Sequence, residues 1–468
     1  MSTTRPGRRY VFREALLPEG WCHEVLAEVD GTGNFVAVRP GATRGERLDR
    51  TEHVQGIVIP GVPNVHSHAH QRALAGLTER AGPGDDSFWT WREAMYDLVS
   101  KLDAESLAAI AAELYVEMLE AGYTAVGEFH YVHHQPDGNP YDEPAELSLA
   151  LLEAAEEAGI GITLLPTLYA AGGFGGVPVD PGQIRFANDA GSYLRIVERI
   201  HQACAGRDDR AFGISPHSLR AVPEALLRDV LSSLDELDAR APVHIHIAEQ
   251  TREVDDCVAW SGARPVQWLL EHFDVDDRWC LIHATHMTDA EIASSAATGA
   301  VAGLCPSTEA NLGDGIFAAR EFLAAAGRIA IGSDSQISVS PAEELRALEY
   351  SQRLVHRSRN VLAGGPQRST ARTLLDAVSS GGALCMSRPI GAIDRGRRAD
   401  FVVLDDAHPA LIERSGDAVL DSWVFSAGNR CIKDVYVGGI QQVRGGRHVR
   451  GAEILERFRA ACHRLREG

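Results

Sequence analysis

Between residues 57 and 332, short apolar runs alternate eight times with longer Ala- and Leu-rich segments of helical period. No other feature limits the fold as tightly. The runs are Ile57–Val65, Thr124–Phe129, Ile160–Leu168, Ala211–Ser215, Ala241–Ile247, Trp279–His283, Ala300–Cys305 and Arg328–Gly332. Helix candidates between them include Asp103–Ala121, Pro144–Ala158, Pro223–Asp238 and Thr251–His272. Repeated strand–helix alternation predicts an α/β protein, a parallel sheet with helices packed outside it. Eight units suit a (β/α)8 TIM-like barrel, which takes ~250 residues and more with insertions. A doubly wound open sheet would bring a Gly-rich first turn, and none is seen. Both flanks have β texture instead: Tyr10–Leu16, Val25–Val29 and Phe35–Arg39 before the barrel, Asp400–Leu404, Val435–Val437 and Gln442–Val443 after it, with a Gly445-Gly446 turn before His448. The two chain ends are therefore expected to share one small β-sandwich domain, residues 1–58 with 391–468, around a barrel of residues 59–390.

Composition narrows the function classes. The net charge of −20 comes from 65 acidic and 45 basic residues, which disfavours nucleic acid and anionic membranes as partners. Any arginines that bind an anionic substrate must then be few and specifically placed. The eight cysteines form no C-x-x-C pair and read as buried free thiols in a reducing cytoplasm. Residues Met1–Tyr10 carry positive charge with no apolar segment behind them, so they do not read as a secretory signal. No stretch approaches a membrane span. The expectation is a cytoplasmic enzyme.

Polar residues gather where the apolar runs end. The first run leads into Asn64-Val65-His66-Ser67-His68-Ala69-His70-Gln71-Arg72, the fifth into His244-Ile245-His246-Ile247-Ala248-Glu249, the sixth into His283-Ala284-Thr285-His286, and the eighth into Ser333-Asp334-Ser335. Active sites of parallel barrels are built at the C-terminal ends of the strands. His66 and His68, two apart, face the same side of an extended strand. His246 and Asp334, from other strands, can complete a metal site. Three imidazoles and one carboxylate suit one divalent ion, Zn²⁺ first, with Fe²⁺ also accommodated, and leave a position for water. By spacing alone, His244 and His286 compete with their neighbours as ligands.

This pattern, H-x-H after the first strand, His after the fifth, His after the sixth and Asp after the eighth, resembles the amidohydrolase superfamily in its cytosine-deaminase-like branch. The resemblance runs through essentially the whole chain. It implies that His66, His68, His246 and Asp334 hold the metal, that His283 polarises the substrate and that Glu249 carries the proton. Further motifs are similar to the formimidoylglutamate deiminase family. They are Pro63–Leu77, Phe88–Arg92, Gly127–His134, Ser218–Val222 and Ser307–Gly315. His70 departs from that pattern, which has an aromatic Phe at this place. The likeness implies hydrolytic deimination of N-formimino-L-glutamate in histidine degradation, and a homodimer. It also implies Gln71, Arg92, Tyr131 and Arg220 as substrate-binding residues. Two guanidiniums on separate loops would match the two carboxylates of such a small dianionic amino-acid derivative. The alternatives are a deaminase of the same superfamily acting on a purine, pterin or modified nucleoside, and a non-catalytic scaffold.

Overall fold

A computed structural model describes residues 7–41, 51–80 and 88–467. Residues 1–6, read above for a secretory signal, lie outside them. Eight parallel strands form the barrel: Val62–Ser67, Tyr123–His130, Gly161–Leu168, Arg210–Phe212, Val243–Ile247, Trp279–His283, Val301–Leu304 and Arg328–Ile331. Ladder pairing gives two arcs. Isolated parallel bridges, Ile214 with Val243 and Ser67 with Asp334, join them. The second closure brings the ends of the first and eighth strands together: Asp334 N donates to His66 O at 3.0 Å, and His68 N to Asp334 O at 3.2 Å. Gly332 makes this approach possible, because a Cβ there would meet His66 Cβ at 2.7 Å.

The helices lie outside, as the alternation requires. Two differ from expectation. The segment Thr251–His272 is two helices, Thr251–Ser261 and Pro265–His272. Gly262 ends the first in the left-handed region at φ 79°, and Pro265 opens the second. The run Ile57–Val65 is also two elements. Glu52–Pro60 pairs with the terminal strands, and only Val62–Ser67 enters the barrel. The C-terminal helix Gly451–Glu467, not foreseen, packs on the helix Ala104–Glu120.

The remaining strands from both chain ends form one eight-stranded path. Phe35 on its edge strand Phe35–Arg39 lies four strand spacings from Phe401, about 19 Å in a flat sheet. Their ring centroids are 6.4 Å apart. The sheet therefore curls over its own core of Tyr10, Phe12, Phe35, Phe401 and Tyr436, in sandwich fashion. No described helix is long and apolar enough to cross a membrane.

Candidate active site

The four sequence-derived ligand candidates meet at the C-terminal mouth of the barrel. His66 Nε2 and His68 Nε2 each lie 3.4 Å from Asp334 Oδ1, and His246 Nε2 lies 3.0 Å from His66 Nε2. Backbone carbonyls orient two of the rings: His68 Nδ1 donates to Phe129 O at 2.7 Å, and His246 Nδ1 to His217 O at 3.1 Å. With their protons held on Nδ1, these rings turn bare Nε2 lone pairs toward the cluster. Burial drives His66 down to about 3 and lowers His68 and His246 as well, so the imidazoles are neutral. Asp334 is held below the usual carboxylate range, against the pull of burial, by His66, His283 and His68 around it. Neutral imidazoles crowding Nε2 to Nε2 beside an ionised carboxylate repel one another unless a cation lies among them. The residues fit a divalent ion.

Other histidines near this group are turned toward other partners. His244 Nε2 donates to Cys385 O at 2.8 Å, and His286 Nε2 to Asp314 O at 2.9 Å. His70, fully buried, places Nε2 3.0 Å from Tyr131 Oη. Its ring thus packs behind Tyr131, which lines the cavity over the cluster.

Glu249 and His283 stand beside the cluster. Glu249 Oε1 lies 3.7 Å from His283 Nε2, which is also 3.7 Å from Asp334 Oδ2. Burial raises Glu249 to about 7, with Asp334 and Glu253 adding to the rise. Burial alone would lower His283. Glu249, Glu309 and Asp334 around it carry it instead to about 10. Hence the surrounding carboxylates favour the charged form of His283, and Glu249 is poised to exchange a proton. The loops holding these groups are strained: Ala248, His283, Ala284 and Asp334 all have positive φ, between 48° and 66°.

Carboxylates that the sequence reading did not single out hold these loops in place. Glu309 accepts from His283 Nδ1 at 3.3 Å, and Glu253 accepts from the backbone N of Ala248 and Glu249. Glu128, raised by burial to about 7, accepts from Ser67 Oγ at 2.7 Å and Ala69 N at 2.6 Å. Glu309 and Glu128 sit inside motifs already recognised. Their buried contacts could be known only from the folded chain.

A cavity of about 60 Å³ opens over the cluster. All four substrate-binding candidates, Gln71, Arg92, Tyr131 and Arg220, line it, together with His217 and the aromatics Trp91, Tyr96, Tyr169 and Phe186. Gln71 Nε2 donates to Tyr131 Oη at 2.9 Å, which leaves Gln71 Oε1 buried and unpartnered. Arg92 Cζ lies 4.6 Å over the Trp89 ring and Arg220 Cζ 5.7 Å over the same ring. Neither guanidinium has a carboxylate within ion-pair distance among the described residues, and Arg92 Nε is buried without a partner. In a chain with 20 more acidic than basic residues, two half-buried arginines without a carboxylate partner among the described residues can receive an external anion.

Parallel barrel, curled terminal sheet and a ligand cluster at the strand ends together define a metal-dependent hydrolase. The chain belongs to the amidohydrolase family, which it matches over residues 57–441. It is 54% identical to the formimidoylglutamate deiminase of Pseudomonas aeruginosa, over 94% of this chain and 95% of that one. Against the 5'-deoxyadenosine deaminase of Methanopyrus kandleri, identity is 25% over 94% of each chain. Among solved structures, an amidohydrolase from Brucella melitensis superposes with a TM-score of 0.91 at 47% identity, covering 98% of this chain and 99% of that one. A zinc-bound adenosine deaminase from Xanthomonas campestris shares the fold, with a TM-score of 0.81 at 22% identity over 98% of each chain.

Proposed function

We propose that the chain hydrolyses the imino C–N bond of N-formimino-L-glutamate, giving N-formyl-L-glutamate and ammonia, as a step of histidine degradation in the cytoplasm. The unpaired Arg92 and Arg220, lining one cavity with the ligand cluster, carry this reading. Each guanidinium accepts one substrate carboxylate through paired N–H···O bonds. Gln71 and Tyr131 supply neutral hydrogen bonds, and the aromatic walls exclude bulk solvent from around the substrate.

His66, His68, His246 and Asp334 would hold the divalent ion, Zn²⁺ by ligand type with Fe²⁺ as the alternative, which supplies Lewis-acid activation of water at neutral pH. Asp334 takes the proton of the attacking water. Glu249, at about 7, delivers a proton to the departing nitrogen, and the His283 cation steadies charge at the tetrahedral carbon. The water oxygen bonds to the formimino carbon as the C=N π bond opens, and the protons on Glu249 and Asp334 pass to the nitrogen. The C–N bond then breaks to release ammonia, while the hydroxyl proton returns to Glu249 and leaves the formyl C=O. The same reading assigns residues 59–390 to the catalytic barrel and 1–58 with 391–468 to the small β domain, in a homodimer.

Arg92→Ala and Arg220→Ala test it. Truncating one member of a desolvated charge pair costs 2 kcal/mol or more, so each variant should lose about 30-fold or more in kcat/KM, mainly through KM. Steady-state ammonia release reads this out. Full kcat/KM in both variants, with an aminopurine deaminated faster than the dianion, would contradict the assignment.

A further inference from the structure

Beneath the ligand cluster, the barrel interior holds a second group of metal-binding side chains that the deimination chemistry does not use. His244 precedes His246 by two residues on the strand Val243–Ile247, so it faces the same interior one layer lower. On the neighbouring strand its direct partner in register is Cys280. Cys385, the last residue of the helix Thr370–Cys385, reaches the same layer. An imidazole nitrogen of His244, Cys280 Sγ and Cys385 Sγ all lie within 4.8 Å of one another, and all three residues are fully buried.

Three further observations distinguish this group from ordinary core thiols. His244 Nε2 donates to Cys385 O, so the proton sits on Nε2 and leaves Nδ1 as a buried lone pair with no partner among the described residues. Gly303, on the next strand, leaves room for sulfur: a Cβ there would lie 2.8 Å from Cys280 Sγ. The surroundings include the apolar Val65, Ala125, Ile282 and Val301, together with a further thiol, Cys305.

We propose that His244, Cys280 and Cys385 form a second cation site of thiophilic character, with Zn²⁺ as its ion and a structural role at the floor of the barrel. Tetrahedral zinc with Zn–S of ~2.3 Å and Zn–N of ~2.0 Å sets its ligand atoms ~3.5–3.8 Å apart, so from within 4.8 Å the trio needs to contract by about 1.3 Å at most. Two thiolates, one neutral imidazole and Zn²⁺ sum to zero charge, as an apolar layer demands. Binding releases both thiol protons to solvent. Burial would raise both thiols. Cys280 does lie well above the usual thiol range, and its hydrogen bond lowers Cys385, so the bound cation itself must draw off the thiol protons.

Loading the metal-free full chain with Co²⁺ tests this. The expected result is two equivalents bound, with a thiolate-to-cobalt charge-transfer band in the near ultraviolet that all-imidazole and carboxylate ligation does not give. Cys280→Ser and Cys385→Ser should each lose the band and the second equivalent while keeping the first. Anomalous diffraction at the zinc edge, on crystals of the unaltered chain grown with Zn²⁺, should show a peak among the three side chains and decides the matter if the serine variants do not fold. One equivalent without the band, a band that survives in both serine variants, or no anomalous peak there overturns the proposal and leaves a hydrogen-bonded core trio.

Discussion

Glu249→Gln is expected to lower kcat by about 10³-fold while one catalytic-site cation per chain remains bound. Removing a positioned proton carrier typically forfeits 10²–10⁴-fold, and two features place Glu249 in the upper part of that range. Burial sets it at about 7, where it can both receive and release a proton at working pH, and a glutamine of the same shape can do neither. The substitution also takes away one of the carboxylates that keep His283 protonated, so the charge facing the tetrahedral carbon weakens at the same time. Metal content should not change, since Glu249 is not among the converging ligand atoms. Steady-state kinetics with metal analysis on the same preparation measures both halves. A variant that kept most of its activity would remove Glu249 from the proton path.

Stripping the cation is the second large effect. Dialysis against a chelator should abolish turnover and lower Tm by a few degrees, and stoichiometric Zn²⁺ should restore both. A ligand at 100-fold its dissociation constant adds about 2.7 kcal/mol to stability. Without it, the His66 and His246 Nε2 atoms, 3.0 Å apart, face each other with like polarity. His246→Ala removes one ligand together with that contact. It should fold, bind the ion weakly and turn over at least about 10³-fold more slowly, as expected when the activated water is lost. Unchanged turnover in the chelated chain would contradict a metal-dependent reaction.

The barrel was legible because its signal is repeated eight times, and because each ligand marks the end of an apolar run. His66, His68, His246 and Asp334 could be picked out as ligand candidates by type and position, and the fold gathers them around His66 and Asp334. What the sequence hid depends on tertiary neighbours. The run Ile57–Val65 reads as one strand because hydrophobicity is continuous through Pro60 and Gly61. Only pairing with the terminal sheet separates its halves. Glu253 and Glu309 resemble solvated helix acids in sequence, yet each is buried and bonded to a loop that carries catalytic groups. His217, immediately before the motif Ser218–Val222, lines the cavity without any spacing that would have announced it. His244 and His246 are equivalent by periodicity and are told apart only by depth in the barrel.

Product analysis with N-formimino-L-glutamate tests the central claim most directly. The account predicts one ammonia and one N-formyl-L-glutamate per substrate consumed, with kcat/KM far above that for any aminopurine. Formamide and glutamate as products would place the cleavage at the other C–N bond, and no turnover of this dianion by the metal-loaded chain would contradict the account outright.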